Sequence, residues 1–266
     1  MSDRNLIFSG PMVRALLNGR KTQTRRIVNL DRYYTHLVGY DSTGLLKQYE
    51  NGKLGLEFVN AARGLYSREN PDGLSAKYVP ISFFVGDRIW VREKIRAEQL
   101  SFPPVTRKAT TKERQLLKRT EVTDFNELDG LNGVQYLADG AWIKIENSIS
   151  AGDLWSELFN YKGAPDGNLG SIVPSIHMPR WASRLTLTVT GVQVQRLQDI
   201  SEEDARAEGI FTPEIGYVNL GKKAPVIQYA MLWNSLHGPD AWDANPWVTA
   251  ITFTVHHGNI DQMVPL

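Results

Sequence analysis

Leu16-Leu17-Asn18-Gly19-Arg20-Lys21-Thr22-Gln23-Thr24-Arg25-Arg26 sets four cations and two threonines directly behind a short apolar segment. Upstream, Leu6-Ile7-Phe8 reads as a compact strand, and Ser9 or Gly10 stands where a helix cap belongs. Pro11 follows, suited to a first helical turn in which its missing N–H is not needed. Val13, Leu16 and Leu17 recur at helical spacing, and Gly19 is placed to stop the helix. The cations therefore fall at a helix-to-strand junction. Two readings stay open there. Lys and Arg behind a helix complement its macrodipole while facing water. Alternatively, a desolvated Lys21 amine takes the proton that the Thr24 hydroxyl must lose to become a nucleophile. Residues three apart in a regular strand face opposite sides, so that chemistry needs a turn at the junction.

Further along, Val85-Gly86-Asp87-Arg88-Ile89-Trp90-Val91-Arg92-Glu93 reads as a strand entered through Gly-Asp. Ile89, Val91 and Glu93 are expected on one face, with Trp90 and Arg92 on the other. From Arg184, Leu185, Leu187 and Val189 alternate with Thr186, Thr188 and Thr190, the pattern of a half-buried β-branched strand. Ser201 and Asp204 have capping-box spacing for a helix that Gly209 ends. A helix is expected over Val226 to Leu236, and a last strand over Trp247 to Val255. Residues 29 to 80 and about 96 to 176 have weaker periodicity and are expected as insertions.

Gly19-x-Lys21-x-x-Thr24-x-Arg26 resembles the signature of ASCH domains, small β-barrels of the PUA-like class. The Gly86-Asp87 segment and Leu197 to Ile210 are similar to further blocks of the family. The branch resembled most is the bacterial N4-acetylcytidine amidohydrolases, in a longer form like those of phages and prophages, through Pro11 to Leu17 and Met178 to Arg184. The resemblance implies an α+β fold: one ASCH-type PUA-like barrel over residues 1–266, decorated by helices and by the two insertions. It implies an amidohydrolase that needs no metal or cofactor and deacylates a small nucleoside substrate, N4-acylated cytidine or cytosine. Carried over residue by residue, Thr24 is the nucleophile, Lys21 its base and Glu208 the proton-transfer partner. Arg26 is expected to bind a substrate oxygen or to brace the site through a carboxylate such as Glu93. Trp181 is a candidate to stack on a base, with packing in a core as its other reading. The class also contains modules that bind RNA without catalysis, and a phage accessory protein with a host partner is a third expectation.

Composition narrows the field. The chain has 266 residues, enough for one large domain, and a formal net charge of +1, so a globally basic nucleic-acid binder is not indicated. It has no Cys, which excludes disulfides, thiolate nucleophiles, iron–sulfur clusters and the common structural zinc sites. His177, and the adjacent His256-His257, lack partners at metal spacing. Neither a signal-peptide core nor a run of about 20 apolar residues is present, and a cytoplasmic protein is expected. The basic run from Arg107 to Arg119 is expected as a solvated face. Gly216 to Lys223 nearly matches a phosphate loop, but Lys223 stands where Ser or Thr must hold magnesium.

Overall fold

The computed structural model describes residues 3–28, 45–48, 54–58, 77–80, 82–99, 132–144, 149–163, 167, 169–210 and 224–263. The basic run 107–119 and the loop 216–223 lie outside the described residues. The fold is mixed α+β. In chain order it contains β1 (Asp3–Ile7), α1 (Gly10–Leu17), β2 (Gln23–Ile27), β3 (Leu45–Gln48), β4 (Leu54–Phe58) and β5 (Lys77–Pro80). There follow β6 (Arg88–Arg92), β7 (Ile95–Gln99), β8 (Asn132–Tyr136), β9 (Trp142–Lys144), α2 (Ile149–Phe159) and β10 (Leu169–Val173). The last elements are β11 (Leu185–Arg196), α3 (Glu202–Ala207), α4 (Ala224–His237) and β12 (Trp247–His257). No helix among the described residues is long and apolar enough to cross a membrane.

Five strands form the largest sheet, in the order β1-β6-β11-β12-β2. Because β1 and β2 stand at its two edges, the sheet is open among the described residues, where a closed barrel was expected. Strand β6 also departs from expectation. Ile89, Trp90 and Val91 are all buried, so side chains on both faces of the strand are covered. The strand expected from Val85 to Glu93 is β6, Arg88–Arg92, and Ile95 opens β7 in another sheet. In the region expected as the first insertion, β3, β4 and β5 pair as an antiparallel three-stranded sheet.

The chain divides into two compact units. The first comprises Met1–Asp3, Asn18–Arg88 and Leu187–Val255. Within it β2 pairs antiparallel with β12, Thr24 lying opposite Ile251 and Arg26 opposite Thr249. Helix α3 begins as the sequence predicts: Ser201 Oγ accepts from Asp204 N, and the Asp204 carboxylate accepts from Ser201 N. Gly209 then turns the chain at φ +91°, a left-handed conformation that glycine adopts without strain. Leu197, Ile200, Ala205, Tyr229, Trp233 and Val248 close a core between α3, α4 and the strands.

The second unit comprises Arg4–Leu17, Ile89–Thr186 and His256–Leu266. Its sheet runs β10-β7-β8-β9, and α2 packs against β7 and β10. The core joins Ile95, Ala97, Val134 and Tyr136 of the sheet to Trp155 and Leu158 of the helix. Gly133 is required at its place in β8, because a Cβ there would collide with the ring of Trp142. Trp155 takes advantage of that bare backbone, its Nε1 donating to Gly133 O at 2.9 Å. The stretch expected as a long insertion thus has a sheet and a core of its own.

Candidate functional site

The entry to β2 docks on the C-terminal end of α3, and this builds the site. A helix leaves its last carbonyls without partners. Here Thr22 N donates to Ala207 O at 2.8 Å, and Lys21 Nζ donates to Glu208 O at 2.8 Å. Lys21 and Glu208 face each other as an isolated antiparallel bridge. The ammonium therefore supplies the positive charge that a helix C-terminus favours. It also answers the electrostatic cost of an acid at that place, since Lys21 Nζ donates to Glu208 Oε2 at 2.6 Å. Lys21 has no exposed surface and Glu208 retains 4 %.

Two groups hold the other carboxylate oxygen. Arg25 Nη1 reaches Glu208 Oε1 at 3.2 Å, and the Tyr229 hydroxyl donates to the same oxygen at 3.3 Å. Arg25 continues outward, with Nη1 donating to Gln23 Oε1 at 2.6 Å and Nη2 paired to Asp204 at 3.2 Å. Its Nε is buried without a hydrogen-bond partner. Burial, reinforced by Glu208, raises the Tyr229 hydroxyl far above its ordinary range, so Tyr229 acts as a donor and not as a base. Lys21 is pulled below its ordinary value by loss of solvent, and the nearby Glu208 charge opposes that shift.

Strand periodicity sorts the remaining side chains. Gln23 and Arg25 share one face of β2 and are joined by the bond just described. Thr24 and Arg26 share the other, and Arg26 Nη1 donates to Thr24 Oγ1 at 2.8 Å. Thr24 is 1 % exposed. The hydrogen bonds thus join Lys21 to Glu208 and Thr24 to Arg26; among the described residues none joins Lys21 to Thr24. Arg26 itself is held below its ordinary value, chiefly by burial.

Helix α4 covers this region with a stripe of three rings. Tyr229, Trp233 and His237 recur every fourth residue, with ring centroids 6.1 and 4.2 Å apart. Loss of solvent, followed by the charge of Arg26, holds His237 below its ordinary value of 6.5. A group held down in this way contributes stability that is complete above pH 6.5 and fades as the pH falls through its folded value. In an NMR titration of the five histidines, His237 is expected to titrate below 6.5 and to move upward in Arg26→Met. A midpoint at or above 6.5 in the wild type would contradict the packing of α4 beside Arg26.

Glu93 and Trp181 belong to the second unit. Both Glu93 oxygens accept from Arg184, at 2.8 and 2.9 Å, and Arg184 also binds Asp139. The guanidinium lies 4.1 Å from the centre of the Tyr136 ring. Arg184, a partner not singled out from sequence, thus occupies the carboxylate proposed as a brace for Arg26. Trp181 is half-buried and packs against the core around Ile95. The residues missed from sequence are Arg25, Tyr229 and the second role of Asp204. Arg25 had a signal, because it shares a two-residue period with Lys21. Among the described residues no three His, Asp or Glu side chains gather where they could hold a metal ion. Comparison of the chain with protein-family models, with curated proteins and with solved structures finds no match.

Proposed function

We propose that the protein is an amidohydrolase of the ASCH, PUA-like type that removes acyl groups from N4-acylated cytidine or cytosine. The observation that supports the reading is the buried pair of Lys21 and Glu208, 187 residues apart in sequence and 2.6 Å apart in space. Lys21 belongs to the signature and Glu208 to the similar block from Leu197 to Ile210, and in sequence Thr24 lies between Lys21 and the Arg26 that donates to its hydroxyl oxygen.

The chemistry follows from the charges. Lys21 is a donor twice over at rest, so it must give up a proton before it can act as a base. Transfer from Nζ to Glu208 Oε2 leaves a neutral amine beside a neutral carboxyl, and the burial that lowers the Lys21 value favours that exchange. The amine then takes the Thr24 proton as Oγ adds to the amide carbonyl. Arg26, already on Thr24 Oγ1, stands near the carbonyl oxygen that gains negative charge. The C–N bond breaks as Glu208 protonates the departing exocyclic nitrogen, leaving an ester on Thr24. A second transfer from Lys21 to Glu208 then restores the neutral amine, which deprotonates water as it adds to the ester, and Glu208 protonates the departing Thr24 oxygen, which releases the carboxylic acid and restores the hydroxyl and the ion pair. In this mechanism Lys21 and Thr24 come into contact when substrate binds, since catalytic hydrogen bonds often tighten only in the substrate complex.

A second reading is a non-catalytic module that binds RNA, in which the cluster serves only to hold α3 and β2 together. The near-complete burial of Lys21 and Thr24 favours it, because substrate reaches Oγ only after the surrounding groups move aside. The two separate cleanly when the purified protein is incubated with a panel of N4-acylcytidines and cytidine release is followed by absorbance. Turnover is expected, and EDTA is expected to leave it unchanged, because Lys21, Thr24 and Glu208 carry every proton transfer. Loss of activity with EDTA and its recovery with zinc would reveal a missed metal site. No turnover on any member, with tight and steeply salt-dependent RNA binding, would install the second reading.

A further inference from the structure

The second unit contains a cavity of about 660 Å³, a volume within the range that suits a small organic ligand. Val134, Ile143 and Trp181 contribute apolar wall, and Lys144, His257 and Gln262 contribute polar groups. The frame is tied internally. Tyr136 Oη donates to Ala182 O at 2.8 Å, and Ser183 Oγ donates to Val91 O at 3.0 Å. Asn259 Nδ2 donates to the carbonyls of Arg180, Trp181 and Ser183 at 2.9, 3.1 and 2.8 Å. Four of the five N–H groups of Arg184 are engaged by Glu93 and Asp139. These contacts fix the wall and turn its own polar groups inward.

What faces the space is therefore selective. Among the described residues no Asp or Glu lines it, while Lys144 and His257 are exposed side chains on its border. The half-buried indole of Trp181 adds a flat surface beside them. An ammonium and an imidazole beside an aromatic wall complement a ligand that carries negative charge on a flat ring. We infer that this cavity is a binding site for a small aromatic anion, a nucleoside monophosphate or an aromatic carboxylate, held by Lys144 and His257 and stacked on Trp181. The site uses none of Lys21, Thr24 or Glu208 and goes beyond the deacylation reading.

Calorimetric titration of the full-length protein tests the inference with four probes: adenosine 5′-monophosphate, 2-naphthoate, adenosine and inorganic phosphate. At least one of the two aromatic anions is expected to bind saturably, one per chain, and at least tenfold more tightly than either adenosine or phosphate. Which anion binds identifies the source, phosphate ester or carboxylate. Lys144→Glu reverses an exposed charge and is expected to weaken that binding by roughly tenfold or more, as loss of a charge-assisted hydrogen bond does. Trp181→Ala is expected to weaken it by about tenfold through lost stacking, with thermal melting used to verify folding. Absence of saturable binding by both anions at millimolar concentration overturns the inference. So does binding that Lys144→Glu leaves unchanged, whatever Trp181→Ala does.

Discussion

Lys21→Met should destabilise the protein by about 3–5 kcal/mol, the usual consequence of removing one partner from a buried ion pair. The variant leaves the Glu208 carboxylate inside the protein with Arg25 and Tyr229 but without its shortest contact. It also strips the end of α3 of the ammonium that holds Glu208 O. In a chain of this size the melting temperature should fall by roughly 10 °C. Glu208→Gln in the same background should recover part of the loss, because an amide is far less costly to bury alone than a carboxylate. Thermal melts of the two single variants and the double variant measure the coupling directly. Single losses below about 1 kcal/mol would place the pair in solvent-like surroundings, against its observed burial.

Thr24→Val should lower deacylation by at least about a hundredfold, because it removes the attacking oxygen while preserving the shape of the side chain. Stability should fall by only about 1 kcal/mol, since Arg26 Nη1 keeps its bond to Arg25 O. Thr24→Ser restores a hydroxyl at the same place and should stay within about tenfold of wild-type turnover. The pair of variants separates chemistry from packing. A structural Thr24 would tolerate Val as well as Ser, and turnover in the two would then be alike.

Much of the framework around these residues was legible because it depends on local rules. The helix from Gly10 to Leu17, its stop near Gly19, the Ser201–Asp204 capping box and the alternating strand from Leu185 all follow from spacing within a few residues. The meeting of Lys21 with Glu208 was expected only through resemblance, since no local pattern links residues 187 apart. What stayed hidden depends on contacts between distant segments. Tyr229 lies in a helix that was expected, yet nothing in Val226 to Leu236 shows which residue reaches Glu208. Arg184 captured Glu93 because a buried carboxylate takes the cation that folding brings to it, and sequence proximity says nothing of that. The sheet that is open among the described residues, in place of the expected barrel, likewise depends on which edge strands find partners.

Acid-quenched turnover of an N4-acetylcytidine, followed by peptide mapping in a mass spectrometer, tests the central claim most directly. During steady turnover the peptide carrying Thr24 should bear an acetyl ester on that residue, and the adduct should be absent from Thr24→Val. Cytidine released at full rate with no acyl group on Thr24 in a single turnover, or released equally well by Thr24→Val, would contradict it.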